Sequence, residues 1–491
     1  MTGGTDTHVP LCVDCDGTLV RTDLLHESTF ALLRTSVLQF LLLPLWMLRG
    51  KAFLKQQLAA RVSLDASVLP YNTELVEFIR NERAHGRQIV LATASPRPFA
   101  TAVADYLGLF DRIEATDARE NLAGPAKAKR LLDIFGERGF DYVGNSRADL
   151  PIWRVSRQAL VVQRGAPSLE AQIKSTTPVQ KVFSLPAAKL TEYAKGLRLH
   201  QWLKNALVFV PLLAAHRVTD SHLLWLCIVA FVAFGICASS VYVLNDLLDL
   251  PADRRHRSKR LRPFAAGTIP IWHGAIIVPV LTVVAALLAT AVSSPFIVML
   301  GAYLVLTLAY SLLLKQLVVV DVMTLAALYT TRILAGAAAT GIPPSFWLLA
   351  LSMFIFLSLA IVKRYSELKV VFAEQHSQAA GRGYRVDDMP LLQSVGVGCG
   401  LLSVLVFALY VNGPDVGVLY ASRAWLWLAP PLLLYWIVRV WMKTHRGEMN
   451  DDPVIFAIKD GQSRVIAVAF AVIATLATTG SSAHLLDLIS R

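Results

Sequence analysis

The sequence predicts a chain in two parts: an N-terminal α/β domain built on a parallel sheet with a helical cap, then an all-α membrane bundle of about nine transmembrane helices. Three observations predict it. Residues 1–190 mix charge with short strand-like and helix-like segments, whereas 200–490 are mostly long apolar runs. In the first part strands alternate with helices, the pattern of a parallel sheet with crossover connections. In the second, the runs approach the ~20 residues that a bilayer span needs. A chain of 491 residues with 55% hydrophobic content and mean hydropathy +0.52 is too apolar to be wholly soluble.

The boundaries that follow are 8–170 for the α/β domain with its cap over about 25–75, a polar linker at 171–190, and the membrane domain at 191–491. Residues 1–10 are small and polar, so no secretory signal is expected there. Of the five cysteines, Cys227, Cys237 and Cys399 lie in apolar runs. Cys12 and Cys15 stand alone on an expected buried strand, so neither a disulfide framework nor a zinc site is expected.

The first strand, Leu11-Cys12-Val13, runs into Asp14-Cys15-Asp16-Gly17-Thr18. Aspartates at i, i+2 leave a strand on one face, and Gly17 permits a sharp turn. A second strand, 88–92, ends in Thr93-Ala94-Ser95; a third, 140–143, leads into Gly144-Asn145-Ser146-Arg147-Ala148-Asp149. Ligands of such sheets sit at the carboxyl ends of the strands, and acids, hydroxyls and amides converging there suit phosphate and magnesium. Between the first two motifs, 36–48 is apolar, interrupted by Pro44 and followed by Arg49-Gly50-Lys51. It is too short to span; it reads either as a cap helix lying in the membrane interface or as an ordinary buried cap helix.

These motifs resemble the haloacid dehalogenase (HAD) superfamily of phosphatases over about residues 8–170. The resemblance implies Asp14 as nucleophile, Asp16 as general acid/base, Thr93 on a phosphate oxygen, and Lys127 steadying the charge, with Lys129 as the competing choice. Asp14, Asp16 and Asp149 would be the magnesium ligands. Asn145 departs from the pattern, standing where an acid usually stands, so an active phosphatase and a degenerate regulatory or docking domain are both left open.

Nine spans are expected near 202–216, 222–245, 271–293, 295–314, 318–341, 346–365, 391–412, 424–442 and 464–487. Basic residues concentrate after the second, fourth, sixth and eighth: Arg254 to Arg262, Lys315, Lys363 to Arg385, and Lys443 to Lys459. That asymmetry places those loops, and residues 1–190 with them, in the cytoplasm of a multi-pass inner-membrane protein. The net charge of +12 then reads as attraction to the membrane surface and to phosphates; no aromatic-basic signature of nucleic-acid binding accompanies it.

The second span closes on Asn245-Asp246-Leu247-Leu248-Asp249-Leu250-Pro251-Ala252-Asp253 and opens into the basic run 254–262. Acids at i, i+3, i+7 share a helix face and repel unless a cation binds them; oxygen ligands suit magnesium bridging to phosphate. A polar helix cap is the bland alternative, but a cap needs one acid. Tyr310, Lys315 and Asp321 gather where the fourth span meets the fifth, and Arg332, about three turns further in, needs a partner within the membrane. Arg198 to Asn205 concentrates polar groups; an interface anchor explains Trp202 but not Gln201 or Asn205. The 363–388 loop is either part of the site or a solvated connection, and Asp451-Asp452 either supports the site or stops a helix before Pro453.

Residues 190–490 resemble the UbiA superfamily of membrane prenyltransferases, on NDxxDxxxD at 245–253 and Lys259-Arg260-Leu261-Arg262-Pro263-Phe264-Ala265-Ala266-Gly267. Leu325 replaces the second acid of the family's second motif. Tyr310, Lys315, Asp321, Lys363 to Leu368, Gly381 to Arg385 and Arg446 to Pro453 look like the branch that includes decaprenyl-phosphate phosphoribosyltransferase. That resemblance implies a polyprenyl phosphate acceptor and phosphoribosyl pyrophosphate as donor. Asp246 and Asp249 would be catalytic and, with Asp253 and Asp321, hold magnesium. Asn245, Arg254, Arg260, Arg262, Tyr310, Lys315, Lys363 and Arg364 would meet substrate. The fused phosphatase would then remove the 5-phosphate of the product. The alternatives are a prenyl diphosphate transferred to an aromatic acceptor beside a silent or unrelated HAD domain, or a bundle that only binds polyprenyl phosphate.

Overall fold

The computed structural model describes residues 9–117, 120–165, 168–373, 382–413, 416–449 and 452–479. Gly381, Asn450 and Asp451, named above among the resembling motifs, lie outside the described residues. The chain forms two bodies, Met1–Leu197 with Tyr242–Val278, and Arg198–Val241 with Pro279–Arg491.

The first body is built on a six-stranded sheet in the order β3-β2-β1-β4-β5-β6, every pairing parallel. Its strands are β1 Leu11–Val13, β2 Ile89–Pro96, β3 Arg112–Thr116, β4 Asp141–Gly144, β5 Ala159–Arg164 and β6 Val179–Leu185. Both faces are covered, which is why β1 reads as an unbroken apolar run. Leu11 and Val13 enter one core with Leu91 and Val143; Cys12 enters the other with Val90 and Tyr142. Cys15 joins the first core, so the two cysteines of the CxxC spacing face different interiors. The strand order reverses beside β1, placing the ends of β1, β2 and β4 at the switch point where ligands bind. The expected linker at 171–190 is a correction: the chain there contributes part of the helix Ser168–Lys174 and the sixth strand. Polar residues concealed β6 because an edge strand is covered less completely than its neighbours.

The cap consists of short helices between Leu24 and Val68. In Val37–Phe40 and Leu43–Leu48, Trp46 turns inward against Leu32, Leu54 and Leu58, while Leu38 and Leu48 are 79% and 84% exposed. Of the two readings of this stretch, the buried cap helix is therefore not what forms. The first cap helix, Leu24–Thr35, is fastened to residues beyond the helix Ser221–Leu248. Glu27 accepts both terminal nitrogens of Arg254 at 2.8 and 2.7 Å, the two side chains only 4% and 5% exposed. Arg34 reaches the Leu248 carbonyl at 3.4 Å, and Asp65 pairs with Arg255.

Among the described residues, eight helices are long and apolar enough to cross a membrane: Ser221–Leu248, Ile271–Thr290, Ser294–Leu312, Val320–Thr340, Phe346–Ala373, Val386–Val411, Arg423–Arg446 and Gly461–Thr479. The protein is an integral membrane protein. The stretch expected as a first span, 202–216, instead lies in a 3-10 helix, Leu199–Phe209, continued by the short α-helix Val210–Ala214. At about 2.0 Å per 3-10 residue and 1.5 Å per α residue, the two together reach about 30 Å, the thickness of a hydrocarbon core.

In the second body this stretch packs on Val320–Thr340 through Gly336, where a Cβ would come within 1.9 Å of the Val208 carbonyl oxygen. Small residues at such crossings let membrane helices approach closely. One turn earlier Arg332 finds its partner: its Nε donates to Asn205 Oδ1 at 3.0 Å, and its guanidinium lies 5.1 Å from the Tyr303 ring centre and 5.5 Å from that of Phe234.

Candidate functional site

At the end of β1, Asp14 is buried, its Oδ1 accepting from Lys127 Nζ at 2.7 Å and its Oδ2 from Thr18 Oγ1 at 3.1 Å. Lys127 donates onward to the Tyr142 hydroxyl at 2.9 Å, which donates to Asp149 Oδ1 at 2.9 Å. Lys129 is exposed, so Lys127 takes the place beside the nucleophile position. Asp16 accepts from Ser95 Oγ at 2.6 Å, Thr93 Oγ1 at 3.4 Å and the Leu24 amide at 2.8 Å. Ser95, i+2 after Thr93 in the run of hydroxyls at the end of β2, thus meets Asp16 beside it.

Burial pushes the Asp14 carboxyl up to about 6 against the pull of Lys127, and pushes Asp16 up to about 7 with help from the charges of Asp23 and Asp14. Asn145 lies directly over the nucleophile loop: a Cβ on Gly17, whose φ is +73°, would stand 2.1 Å from Asn145 Nδ2. Asp149 Oδ2 already accepts from the Asn145 and Ser146 amides at 3.2 and 3.1 Å and from Ser146 Oγ at 3.1 Å. The residues fit a divalent cation at Asp14 and Asn145, since a buried carboxylate with a raised pKa is a group a cation holds ionised, while Asp16, expected as a further ligand, is held by Ser95, Thr93 and the Leu24 amide. Asp149, expected as a ligand, serves to fold the 145–149 loop.

In the NDxxDxxxD segment, the Asp249 amide donates to the Asn245 carbonyl at 2.9 Å and the Asp253 amide to the Asp249 carbonyl at 2.8 Å, so the helical phase survives the break after Leu248. Asp246 and Asp253 are buried and share Arg262, whose Nη1 lies 3.2 Å from one and 2.6 Å from the other. Asp249 precedes the helix Leu250–Arg255 without capping it through its side chain, and lies 3.7 Å from Arg34. Among the described residues no group of three or more His, Cys, Asp or Glu side chains is gathered to hold a metal. Arg262 thus bridges two carboxylates of the acidic segment. Arg254, expected on substrate phosphate, is instead paired with Glu27 and donates its Nε to the Ala265 carbonyl at 2.9 Å. Arg260 is exposed on the loop, and Asn245 is half-buried.

The second body gathers two clusters. Asp321, expected to ligate metal, is fully buried and held instead by Arg364 and by Arg382, at 3.1 Å, with Tyr310 donating at 2.9 Å. Arg364 also contacts Glu367 at 2.6 Å. Among the described residues two acids, Asp321 and Glu367, meet two arginines, Arg364 and Arg382. Lys315 is half-buried at the foot of the same region. In the other cluster Asp452 accepts from Lys204 at 2.7 Å, Lys363 at 3.3 Å and the Tyr329 hydroxyl at 3.1 Å. Burial alone would raise the Asp452 carboxyl; Lys363 and Lys204 overrule it and hold it well below the usual range. Of the two readings of Asp452, both apply, since it also caps Pro453–Lys459. Among the described residues two lysines thus meet one carboxylate, and nearby in sequence Asn205 Nδ2 is buried with no hydrogen-bond partner. Sequence reading missed the pairing of Lys204, Lys363 and Asp452, which are too far apart along the chain for spacing to reveal.

A parallel sheet carrying an acidic nucleophile loop, and a membrane bundle carrying clustered acids and cations, define a two-domain membrane transferase. The UbiA prenyltransferase family model matches residues 206–459, and the haloacid dehalogenase-like hydrolase model matches 11–154. The chain belongs to the UbiA prenyltransferase family, with a haloacid dehalogenase-like domain fused ahead of it. It is 35% identical to the uncharacterized protein y4nM of Sinorhizobium fredii, over 95% of this chain and 90% of that one. It is 36% identical to nodulation protein NoeC of Azorhizobium caulinodans over 57% of this chain and 91% of the relative. Decaprenyl-phosphate phosphoribosyltransferase of Mycobacterium tuberculosis is 30% identical over 60% of this chain and 96% of its own length.

Proposed function

We propose that the membrane domain transfers 5-phosphoribose from phosphoribosyl pyrophosphate to a polyprenyl phosphate, and that the N-terminal domain then hydrolyses the 5-phosphate. The observation that carries the first step is the treatment of Asp321. Asp321, the acid that resembles the family's second metal motif, is held by Arg364 and Arg382, and two lysines meet Asp452. Fewer acids and more cations suit substrates bearing three separate phosphate groups better than a single prenyl diphosphate. The relatedness to decaprenyl-phosphate phosphoribosyltransferase supports the same reading.

Asp246, Asp249 and Asp253 would hold magnesium, which supplies charge neutralisation to the departing pyrophosphate. Arg262 moves from the carboxylates onto phosphate, and Lys204 and Lys363 hold anionic groups in place. The lipid phosphate, already ionised, attacks the anomeric carbon as pyrophosphate leaves, so positioning and electrostatics carry the catalysis.

In the second step an Asp14 oxygen attacks phosphorus while the bond from phosphorus to the sugar 5-oxygen breaks. Asp16 gives its proton to that oxygen, and its pKa near 7 suits the task. Water then attacks the aspartyl phosphate, returning a proton to Asp16 and releasing phosphate. Thr93 and Lys127 hold the phosphoryl oxygens. The basic loops on one side support a cytoplasmic, inner-membrane setting for both steps.

The test uses purified protein with magnesium, polyprenyl phosphate and radiolabelled phosphoribosyl pyrophosphate. The expected result is a labelled lipid that loses one phosphate group in wild type but not in Asp14→Asn. Product only from a prenyl diphosphate and an aromatic acceptor would overturn the reading.

A further inference from the structure

Beside Asp16 the first body contains a cavity of about 250 Å3, walled by the nucleophile loop and its continuation, by the ends of β5 and β6, and by Pro270, Ile271 and Trp272. The last two open the membrane helix Ile271–Thr290. The wall is built. Arg164, at the end of β5, donates to the carbonyls of Gly267 at 2.9 Å, Thr268 at 2.5 Å and Arg21 at 3.3 Å. Gly267 has φ +67°, and a Cβ there would meet the Arg21 Cβ at 2.9 Å.

The lining pairs two arginines, Arg21 and Arg164, with two acids, Asp16 and Asp23. Arg21 Nε is buried and has no hydrogen-bond partner, a costly state for a charged group that an anion would relieve. Burial and the charge of Arg21 together hold the Arg164 pKa below its usual value. His26 also lines the space. Asp23 lines it too, but accepts from the Leu25 and His26 amides at 2.8 and 3.3 Å. The scissile phosphate's own partners, Asp14, Thr93 and Lys127, are accounted for elsewhere, so Arg21 is left for a second anion.

The exposed apolar strip of the cap speaks to where the substrate comes from. It begins three residues after Arg34, which touches the Leu248 carbonyl at the end of a membrane helix; three residues reach at most about 10 Å. Leu38, Leu41, Leu45 and Leu48 are exposed along this strip, with Arg49 and Lys51 following.

We propose that the cavity is the phosphatase's substrate site, and that it takes a phosphomonoester borne on a membrane lipid through a second anionic group, a phosphodiester, which Arg21 grips while Trp272 borders the sugar. This rests on the phosphatase reading above.

The test measures phosphate release by the full chain in lipid nanodiscs from three probes: farnesyl-phosphoryl-ribose 5-phosphate, ribose 1,5-bisphosphate and ribose 5-phosphate. The expected order of kcat/KM is lipid, bisphosphate, monophosphate. Arg21→Gln lowers the preference for the two-anion probes over ribose 5-phosphate by about tenfold or more, and Arg21→Lys recovers part of it. Trp272→Ala lowers the preference for the lipid probe over the bisphosphate. An unmoved preference in Arg21→Gln overturns the inference, and a bisphosphate turned over as well as the lipid overturns the membrane source. No release from any probe overturns the phosphatase reading itself, and the inference with it. Should the Arg21 variants not fold, Asp14→Asn supplies a binding readout: its unfolding temperature rises more with ribose 1,5-bisphosphate than with ribose 5-phosphate, and equal shifts overturn the proposal.

Discussion

Replacing Arg254 separates a structural from a substrate-binding role for the basic run that follows the first acidic motif. Its guanidinium is 5% exposed and doubly bonded to Glu27, which is 4% exposed and also accepts from Thr22 Oγ1 at 2.5 Å. Arg254→Ala leaves Glu27 buried without its counter-charge, a change that costs about 3–5 kcal/mol. For a body of roughly 230 residues each kcal/mol moves the unfolding temperature by about 2–4 °C, so the expected fall is about 6–20 °C. Replacing both partners by apolar residues of similar size, Glu27→Leu with Arg254→Met, returns stability to within about 1 kcal/mol of wild type, because neither charge is then stranded. Thermal unfolding of the two single variants and the double variant in detergent gives the coupling directly. A single variant that unfolds like wild type but shows a raised KM for phosphoribosyl pyrophosphate would refute this reasoning and return Arg254 to the substrate.

Three further outcomes follow from the geometry. Gly267→Ala, forced into a positive φ and against the Arg21 Cβ, destabilises by at least about 1–2 kcal/mol, whereas Gly86→Ala, with φ +82° and open space, shows only the backbone part in the same unfolding assay. Asp452→Asn strands Lys204 and Lys363, so its unfolding temperature falls, and inorganic pyrophosphate raises it by more than in wild type. Asp14 and Asp16 are raised to about 6 and about 7 when folded, so between pH ~4 and ~7 the folded state binds more protons than the unfolded one. Metal-free protein therefore loses stability as pH rises through that window, by the order of a few kcal/mol at most, and magnesium flattens the loss; pH-resolved unfolding with and without magnesium checks it.

Local chemistry was legible in the sequence and long-range pairing was not. The DxDGT turn, the hydroxyls after β2 and the acidic segment at 245–253 each declare themselves within ten residues, because strand and helix periodicity fix which side chains share a face. β6 was missed because an edge strand shows no strong apolar run. Arg254 was assigned to phosphate because a basic run says nothing about which arginine meets Glu27, more than two hundred residues away. Asp321 was assigned to metal for the same reason: Arg364 and Arg382, which hold it, come from distant segments. For Arg254 and Asp321 alike, the local motif named the residue and tertiary structure supplied its partner.

That pattern bears on Asn145, which stands where the resemblance implies an acid. The nucleophile site already holds two carboxylates that burial resists ionising, with Lys127 the cation bonded to Asp14. A third acid over Gly17, where Asn145 lies, would raise both further and would require more positive charge to bind. An amide keeps an oxygen available to a cation without adding repulsion, and Asp149, one turn on, keeps the loop folded through its bonds to the 145 and 146 amides. What the first step demands is an ionised Asp14 beside a protonated Asp16, and Lys127 bonds only the former of that pair. The substitution therefore lowers the charge a metal must balance while leaving the nucleophile and the proton donor distinguished from one another.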